Sequence, residues 1–328
     1  MKLIKFLFLI ILVSSCNNSK NEGLTTEEPQ DLIINDTIQP VAPEIFSKFK
    51  SIRDFTINST EDEAYFTLQT PLSEVSVIMK LLKDNSKWSS PEITTFSGRY
   101  SDLEAYFSPD NLRLYFSSNR PVSQDSTSTK DFDIWYVERK STSDSWSKPI
   151  NVGAPVNTNA DEFYPAITNS KNLYFTAITE ETGPGDDIFI SKWENNTYSN
   201  PEQLSDSINT KGAEFNAYVS PDESFILFSG WRRPDGIGSG DIYLSKKVNG
   251  QWQGAENLGK AVNSKQIDFC PYVNLETQTL YFTSRRSGLQ KPDSGFVKTQ
   301  DLMKELNRYD DGSSKIYKVD FQLVLSNL

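Results

Sequence analysis

The chain has 328 residues, of which 33 are lysine or arginine and 44 are aspartate or glutamate, so its formal charge at neutral pH is −11. This acidic balance argues against a nucleic-acid binder, because such a protein needs a basic face to displace counterions from phosphates. The sequence contains no histidine, which excludes Ser-His-Asp and Cys-His nucleophile systems and histidine-ligated zinc. The length allows two domains or one large all-β domain.

Residues 1–15 have the features of an export signal. Lys2 and Lys5 precede the apolar run FLFLIILV, which is too short to span about 30 Å of hydrocarbon. The run ends in VSSC, which resembles the lipobox of bacterial lipoproteins. That resemblance implies cleavage before Cys16, acylation of its thiol and of the new amine, and anchoring in the membrane by those acyl chains alone. The alternative is an ordinary secretory signal followed by a chance cysteine.

Residues 16–42 contain Cys16 and a polar, acidic stretch without sustained periodicity. We expect a flexible tether with a root-mean-square span of roughly 25–30 Å. If Cys16 is lipidated, Cys270 has no partner, so the domain predicted at residues 43–328 contains no internal disulfide. Its stability must then come from packing.

The rest of the chain repeats one unit five times. A two-residue pattern that ends in Phe marks the second predicted strand of each unit, at intervals of 50, 59, 53 and 54 residues. Each copy follows a turn, of which Ser108-Pro109-Asp110-Asn111 has typical hairpin chemistry. A third strand such as Asp241-Ile242-Tyr243-Leu244 and a short fourth strand follow. Four short strands in about 50 residues are typical of a β-propeller blade.

The sequences SPDNLRLYFSSNR and DIY resemble the WD40-like (PD40) repeat of TolB-like propellers. More closely, the chain is similar to small lipoproteins of Bacteroidetes-type bacteria that are built from this repeat. The resemblance covers residues 43–320 and is carried best by the second and fourth units. It implies a single all-β domain, a β-propeller of four-stranded blades, and a role like that of TolB-type relatives, which act as interaction modules of the cell envelope.

Five blades are predicted. The fifth unit reaches its third strand at Ile316–Val319, almost at the end of the chain, and lacks a fourth strand. The N-terminal segment around Pro43–Phe46 is expected to supply that strand and close the ring. Six blades would require a further unit within Thr283–Lys315, which instead has the pattern of a long loop with one short helix near Asp301–Asn307.

An acidic residue precedes each predicted first strand, 12 to 14 residues before the Phe of the second strand. The connections from strand four to strand one and from strand two to strand three emerge on the same face of such a blade. We therefore expect these five carboxylates to surround one mouth of the central channel, beside basic residues and one tryptophan that follow the second strands. The candidate face consists of Asp54, Glu104, Glu162, Glu214, Asp268, Arg120, Trp231, Arg232 and Arg285.

Three interpretations of this face remain open. The acids could pair with the arginines, including Arg233 and Arg286, as a device that builds every blade. Alternatively, uncompensated carboxylates could hold a cation, or arginines an anionic ligand; mere solvated charge is the third possibility. Trp231 could stack on a sugar or a peptide, or simply cover a loop. The glycine-rich segments at 183–187 and 236–241 precede third strands, so they indicate loop turns and not phosphate loops.

The sequence favours a lipid-anchored, non-catalytic module of the cell envelope that binds a protein or an envelope polymer, with no cofactor, metal or nucleic acid. We expect it at the outer membrane facing the periplasm, with the cell surface as the other possible location. The alternative is a carbohydrate-active enzyme of glycosidase or lyase type that uses the acids and arginines of the mouth.

Overall fold

The computed structural model describes residues 38–123, 128–179 and 185–328. In chain order the strands are β1 (Gln39–Pro40), β2 (Ile52–Ile57), β3 (Glu63–Gln69), β4 (Ser76–Asp84), β5 (Lys87–Trp88), β6 (Glu92–Ile93), β7 (Asp102–Phe107), β8 (Arg113–Ser118), β9 (Asp133–Glu138), β10 (Ile150–Asn151), β11 (Glu162–Ile167), β12 (Leu173–Ala177), β13 (Asp187–Ser191), β14 (Trp193–Glu194), β15 (Thr197–Tyr198), β16 (Glu202–Gln203), β17 (Ala213–Val219), β18 (Phe225–Trp231), β19 (Asp241–Val248), β20 (Gln251–Trp252), β21 (Glu256–Asn257), β22 (Asp268–Asn274), β23 (Thr279–Ser284) and β24 (Lys315–Asp320). The helices are α1 (Pro43–Phe46), α2 (Thr299–Leu306) and α3 (Phe321–Ser326), with a 3₁₀ turn at Gly259–Ala261.

These strands form five antiparallel four-stranded sheets, which are the blades of a β-propeller. From the first strand of each blade to the fourth, the orders are β2-β3-β4-β6, β7-β8-β9-β10, β11-β12-β13-β16, β17-β18-β19-β21 and β22-β23-β24-β1. The short strands β5 and β20 pair with the ends of the third strands of blades 1 and 4. The strand β14 pairs with β15 beside blade 3. The predicted all-β class, the four-stranded blades and the count of five are confirmed.

The repeated Phe explains why the units pack as blades. It lies in the second strand of every sheet and is at most 2% exposed in all five copies: Phe66, Phe116, Phe175, Phe228 and Phe282. Full burial of a side chain of this size contributes about 1.5–3 kcal/mol relative to exposure. The repeat therefore places one apolar anchor in each blade.

The N-terminal segment closes the ring, as the sequence predicts, but the position of the strand differs. Gln39 and Pro40 pair with Lys318 and Tyr317 of β24. The segment Pro43–Phe46, from which closure was expected, forms the short helix α1, because Pro43 is suited to the first helical position. The propeller thus takes in residues 39–42, which the sequence analysis placed in the tether.

The long connection in blade 5 contains α2, which confirms the predicted helix, and no blade. Residues 285–314 are described throughout, and their only β-pairing is an isolated bridge between Ser287 and Asp311. The six-bladed alternative is therefore wrong.

Cys16, the leader at residues 1–15 and most of the predicted tether lie outside the described residues. Within the described part of the chain, no helix has the length and apolar character needed to cross a bilayer.

Candidate functional site

One residue in each innermost strand has a left-handed backbone, at the point where the pairing with the second strand shifts register. Such a shift is a β-bulge, which bends the strand and redirects a side chain. These residues occupy equivalent positions in the five blades and are at most 4% exposed. We call them the inner ring: Asp54 (φ 59°), Glu104 (φ 63°), Tyr164 (φ 47°), Asn216 (φ 53°) and Cys270 (φ 52°).

Arg53 covers the inner ring. Its Nε donates to Asp54 Oδ1 at 2.7 Å and its Nη2 donates to Glu104 Oε1 at 2.9 Å. Its guanidinium lies 5.2 Å from the ring centroid of Phe269. The thiol of Cys270 donates to Asp54 Oδ1 at 2.7 Å. One cation thus joins residues of blades 1, 2 and 5 across the centre of the molecule.

Burial sets the protonation of this network. It raises the pKa of the Cys270 thiol well above its ordinary value, with the Asp54 carboxylate as the next cause. The thiol is therefore a hydrogen-bond donor here and not a nucleophile. Burial also raises the pKa of Glu104, while the Arg53 guanidinium acts in the opposite direction. Asp54 Oδ2 is buried and has no hydrogen-bond partner in the part of the chain that is described.

A second set of acids lies at the start of the first strands, two residues before the inner ring in register. They pair with residues at or next to the ends of the second strands: Ser118, Ala177, Gly230 and Ser284. Each is at most 1% exposed. We call them the outer acids: Asp102, Glu162, Glu214 and Asp268.

Arginines from the connections between second and third strands neutralise three of the outer acids. The N–O distances are 2.5 Å for Arg120 with Asp102, 3.0 Å for Arg233 with Glu214 and 2.9 Å for Arg286 with Asp268. Each of these carboxylates also accepts a hydrogen bond from a nearby hydroxyl, that of Ser97, Thr210 or Ser264. These pairs are part of how the blades are built.

The five acids named from the sequence therefore do not form one ring. Asp54 and Glu104 belong to the inner ring, whereas Glu162, Glu214 and Asp268 are outer acids. The spacing in sequence to the Phe of the second strand already separates the two sets. It is 12 residues for Asp54 and Glu104 and 13 or 14 residues for the other three acids. The sequence analysis missed Asp102, which lies 14 residues before its Phe.

The arginines are likewise reassigned. Arg233 and Arg286 pair with acids, whereas Arg232 and Arg285 have no acid partner among the residues that the structure describes. Arg285 Nε donates to Ser314 Oγ at 2.9 Å. Arg232 stacks on Trp231, with its guanidinium 3.9 Å from the indole centroid.

Glu162 is the outer acid without an arginine among the described residues. Thr158 Oγ1 donates to its Oε1 at 2.6 Å, and its Oε2 is buried with no partner within residues 38–123, 128–179 and 185–328. Burial raises the pKa of Glu162 to about 7, and the Asp133 and Asp131 carboxylates add to the increase. Blade 3 therefore holds a carboxyl that titrates near neutral pH.

The connections between second and third strands share a face with those that enter the first strands, and we call this the loop face. Of the sixteen large hydrophobic side chains that are exposed in the described part of the chain, ten lie in these connections or at the end of the strand before them. All five blades contribute: Leu72, Val75, Val122, Ile178, Trp231, Ile237, Leu289, Val297, Met303 and Leu306. Trp231 is 41% exposed.

The glycine-rich segment at 236–241 is a loop turn, as expected. The Asp241 carboxylate accepts from the backbone N–H groups of Ile237 and Gly238, at 2.5 and 3.0 Å. A Cβ on Gly238 would overlap the backbone oxygens of Ser264 and Gln266. The turn therefore packs directly against the segment that enters blade 5. Of the companion segment at 183–187, the structure describes residues 185–187.

No group of three or more cysteine, aspartate or glutamate side chains in residues 38–123, 128–179 and 185–328 is placed to hold a metal ion. The acids described above instead find their partners among arginines, hydroxyls and backbone amides.

The molecule is thus a five-bladed β-propeller whose central acids are buried and largely paired. No protein-family model matches the sequence, and no curated protein matches it. Solved structures that resemble it include a putative TolB from Agrobacterium tumefaciens, at 13% identity and a TM-score of 0.46, with 72% of this chain and 70% of that chain covered.

TolB from Acinetobacter baumannii is similar at 12% identity and a TM-score of 0.45, with 82% of this chain and 54% of that chain covered. An endo-arabinase from Bacteroides thetaiotaomicron is similar at 14% identity and a TM-score of 0.49, with 73% and 91% covered. At these identities the likenesses concern the fold. The resemblance to TolB-like propellers that was inferred from the sequence agrees with the five-bladed propeller fold.

Proposed function

We propose that this propeller is a non-catalytic binding module of the cell envelope, which engages a protein or an envelope polymer through its loop face. One observation carries the proposal: the acids of the first strands are buried, whereas the connections on this face expose aliphatic, aromatic and charged side chains. A surface rich in exposed apolar side chains is typical of interaction sites. The exposed Trp231, supported by Arg232, is the kind of residue that dominates binding energy at such sites.

The alternative of a carbohydrate-active enzyme has less support. Glycoside hydrolysis uses two carboxyl groups about 5–10 Å apart on either side of the bond that breaks, so both must reach the substrate. The five acids named from the sequence are at most 4% exposed. Their burial supports a binding role over hydrolysis at the mouth of the channel.

A photo-cross-linking residue at position 231 of the full chain, in its native host, tests the binding face. We expect a specific adduct with an envelope protein or polymer. The matched control is position 275, where the native Leu275 is 37% exposed in the turn between β22 and β23, on the opposite face. The proposal fails if position 231 gives no specific adduct and a Trp231→Ala, Arg232→Ala, Arg285→Ala variant behaves as the parent.

We propose further that Cys16 carries the lipid anchor and that the propeller lies at the outer membrane facing the periplasm. The lipobox-like VSSC supports this assignment. A Cys16→Ser variant should lose incorporation of a palmitate analogue and leave the membrane fraction. The control is Cys270→Ser, which should keep both because Cys270 is 1% exposed inside the propeller. Labelling of the Cys16→Ser variant would contradict the assignment.

A further inference from the structure

A cleft of about 630 Å³ opens on the loop face between blades 4 and 5. Its walls come from the connections at Ile237, Gln266 and Ser287, from the third strand of blade 5 at Tyr317, and from the start of β1 at Pro40. Sites for small ligands have volumes of about 300–1,000 Å³. The cleft is therefore large enough for a short oligomeric ligand.

The walls of the cleft are cationic in a chain that is acidic overall. Lys265 lines the cleft, is exposed and has no ion-pair partner among the described residues. Asp310, the one acid in the lining, is neutralised by Arg308 through two hydrogen bonds at 2.8 and 3.0 Å. Arg286, which already pairs with Asp268 at 2.9 Å, places its guanidinium 4.7 Å from the ring centroid of Tyr317. Lys265 is therefore the charge that an anionic ligand would meet.

Tyr317 gives an independent indication of a ligand. Its side chain is 4% exposed, and its hydroxyl has no hydrogen-bond partner in the described part of the chain. The neighbouring Tyr309 hydroxyl donates to the Ile316 carbonyl at 2.7 Å. An unsatisfied buried hydroxyl costs about 1–3 kcal/mol, and buried polar groups are normally paired. A ligand oxygen in the cleft would satisfy the Tyr317 hydroxyl.

Two glycines allow the walls of the cleft to approach closely. Gly238 packs on the backbone oxygens of Ser264 and Gln266, which fixes Ile237 at the rim. A Cβ on Gly288 would overlap the Asp310 carboxylate. A ligand therefore meets a preformed site, which reduces the entropic cost of binding.

We propose that this cleft binds an acidic oligosaccharide, that is, a sugar chain that carries carboxylates. Lys265 would meet a carboxylate, while the side chains of Ser264, Gln266 and Ser287 offer hydroxyl and amide groups to sugar hydroxyls. Only a few aliphatic side chains line the cleft, which favours a sugar over a peptide with aliphatic residues. The inference rests on the proposed function, since the cleft is part of the loop face.

The test uses the full chain on a panel of uronic-acid, sialylated and neutral oligosaccharides, followed by calorimetric titration with the tightest acidic member and a neutral chain of the same length. We expect binding of the acidic chain only. Lys265→Glu should weaken it at least about tenfold, which corresponds to about 1.4 kcal/mol. Tyr317→Phe should weaken it about three- to tenfold without lowering the melting temperature, because it removes only the unpaired hydroxyl.

Lys246→Glu is the matched control, since Lys246 is exposed on blade 4 away from the cleft. The inference is overturned if no acidic oligosaccharide binds, if the Lys265 and Tyr317 variants bind as the parent does, or if Lys246→Glu weakens binding equally. If sugars fail while position 231 still gives its adduct, this inference falls and the proposed function stands. If the sugar binds but position 231 gives no adduct, the proposed binding of an envelope protein or polymer at Trp231 is overturned and the cleft remains a sugar site.

Discussion

At the scale of single residues, Arg53 determines whether the centre of the propeller is stable. Two buried carboxylates, Asp54 and Glu104, depend on this cation, and its side chain is 19% exposed. A buried charge that loses its partner keeps its desolvation penalty without compensation. Loss of Arg53 would therefore cost more through the two unpaired buried carboxylates that remain than through the loss of the ion pairs themselves.

Replacing Arg53 by Met should lower the free energy of unfolding by about 3–5 kcal/mol, because it strands the two carboxylates. Adding Asp54→Asn should restore part of the loss, since it removes one of the stranded charges. Urea denaturation measures both effects. The control is Arg113→Met, whose ion pair with Glu138 has side chains 44% and 43% exposed and should cost less than about 1 kcal/mol. Equal costs at the two positions would contradict this account.

Glu162 gives the molecule a pH-dependent stability. Its pKa is about 7 in the folded chain against an ordinary value of 4.5. Between these values the native state binds the proton and the unfolded state does not, so stability falls as pH rises through this window. Above pH 7 the full penalty of the buried charge is present.

Glu162→Gln should therefore be more stable than the parent by about 1–3 kcal/mol near pH 8, with the difference vanishing near pH 4.5. Denaturation at several pH values measures it. The matched variant Glu214→Gln should instead be destabilised near pH 8, because it removes the partner of Arg233 at 3.0 Å. Parallel pH profiles for the parent and Glu162→Gln would show that Glu162 does not titrate in this range.

At the scale of elements, the turn at 236–241 depends on the absence of a side chain at Gly238. Gly238→Ala should force this turn away from the segment that enters blade 5, and should lower the free energy of unfolding by about 1–3 kcal/mol as overpacking does. Chemical denaturation measures the change. Gly254→Ala is the control, because a Cβ on Gly254 meets nothing within 4 Å. A neutral Gly238→Ala would mean that the turn is not held against its neighbour.

The elements also show how far the sequence could be taken. The Phe of each second strand and the turns before it predict the blades, because apolar anchors and hairpin chemistry are local. The acids are harder to place from the sequence, because a β-bulge in each first strand shifts the register between the outer acids and the inner ring. In blade 2 both Asp102 and Glu104 are acidic, and only the register shows that they have different partners. The cleft joins Pro40 to Tyr317, a pairing that local patterns do not contain.

At the scale of the whole molecule, a strand of only two residues, β1, closes the ring of blades. The strand β1 contributes two paired residues, and Val41 donates its N–H to the Ile316 carbonyl at 3.0 Å. Without them β24 would be an exposed edge, which invites pairing between molecules. Closure thus protects the propeller as well as stabilising it.

A chain that begins at Pro43 should consequently lose about 1–3 kcal/mol of stability, at about 1 kcal/mol for each net hydrogen bond. It should also associate at high concentration through β24. A chain that begins at Thr37 keeps β1 and is the control. Thermal unfolding and size-exclusion chromatography measure the two effects. Identical behaviour of both chains would show that β1 is dispensable.

The same strand has a mechanical consequence. The proposed anchor at Cys16 precedes β1 along the chain, so tension between the membrane and a partner held on the loop face enters the propeller at Gln39 and Pro40. The element that completes the ring is therefore also the first to bear load. Sufficient tension would peel β1 from β24 before it disturbed any other blade.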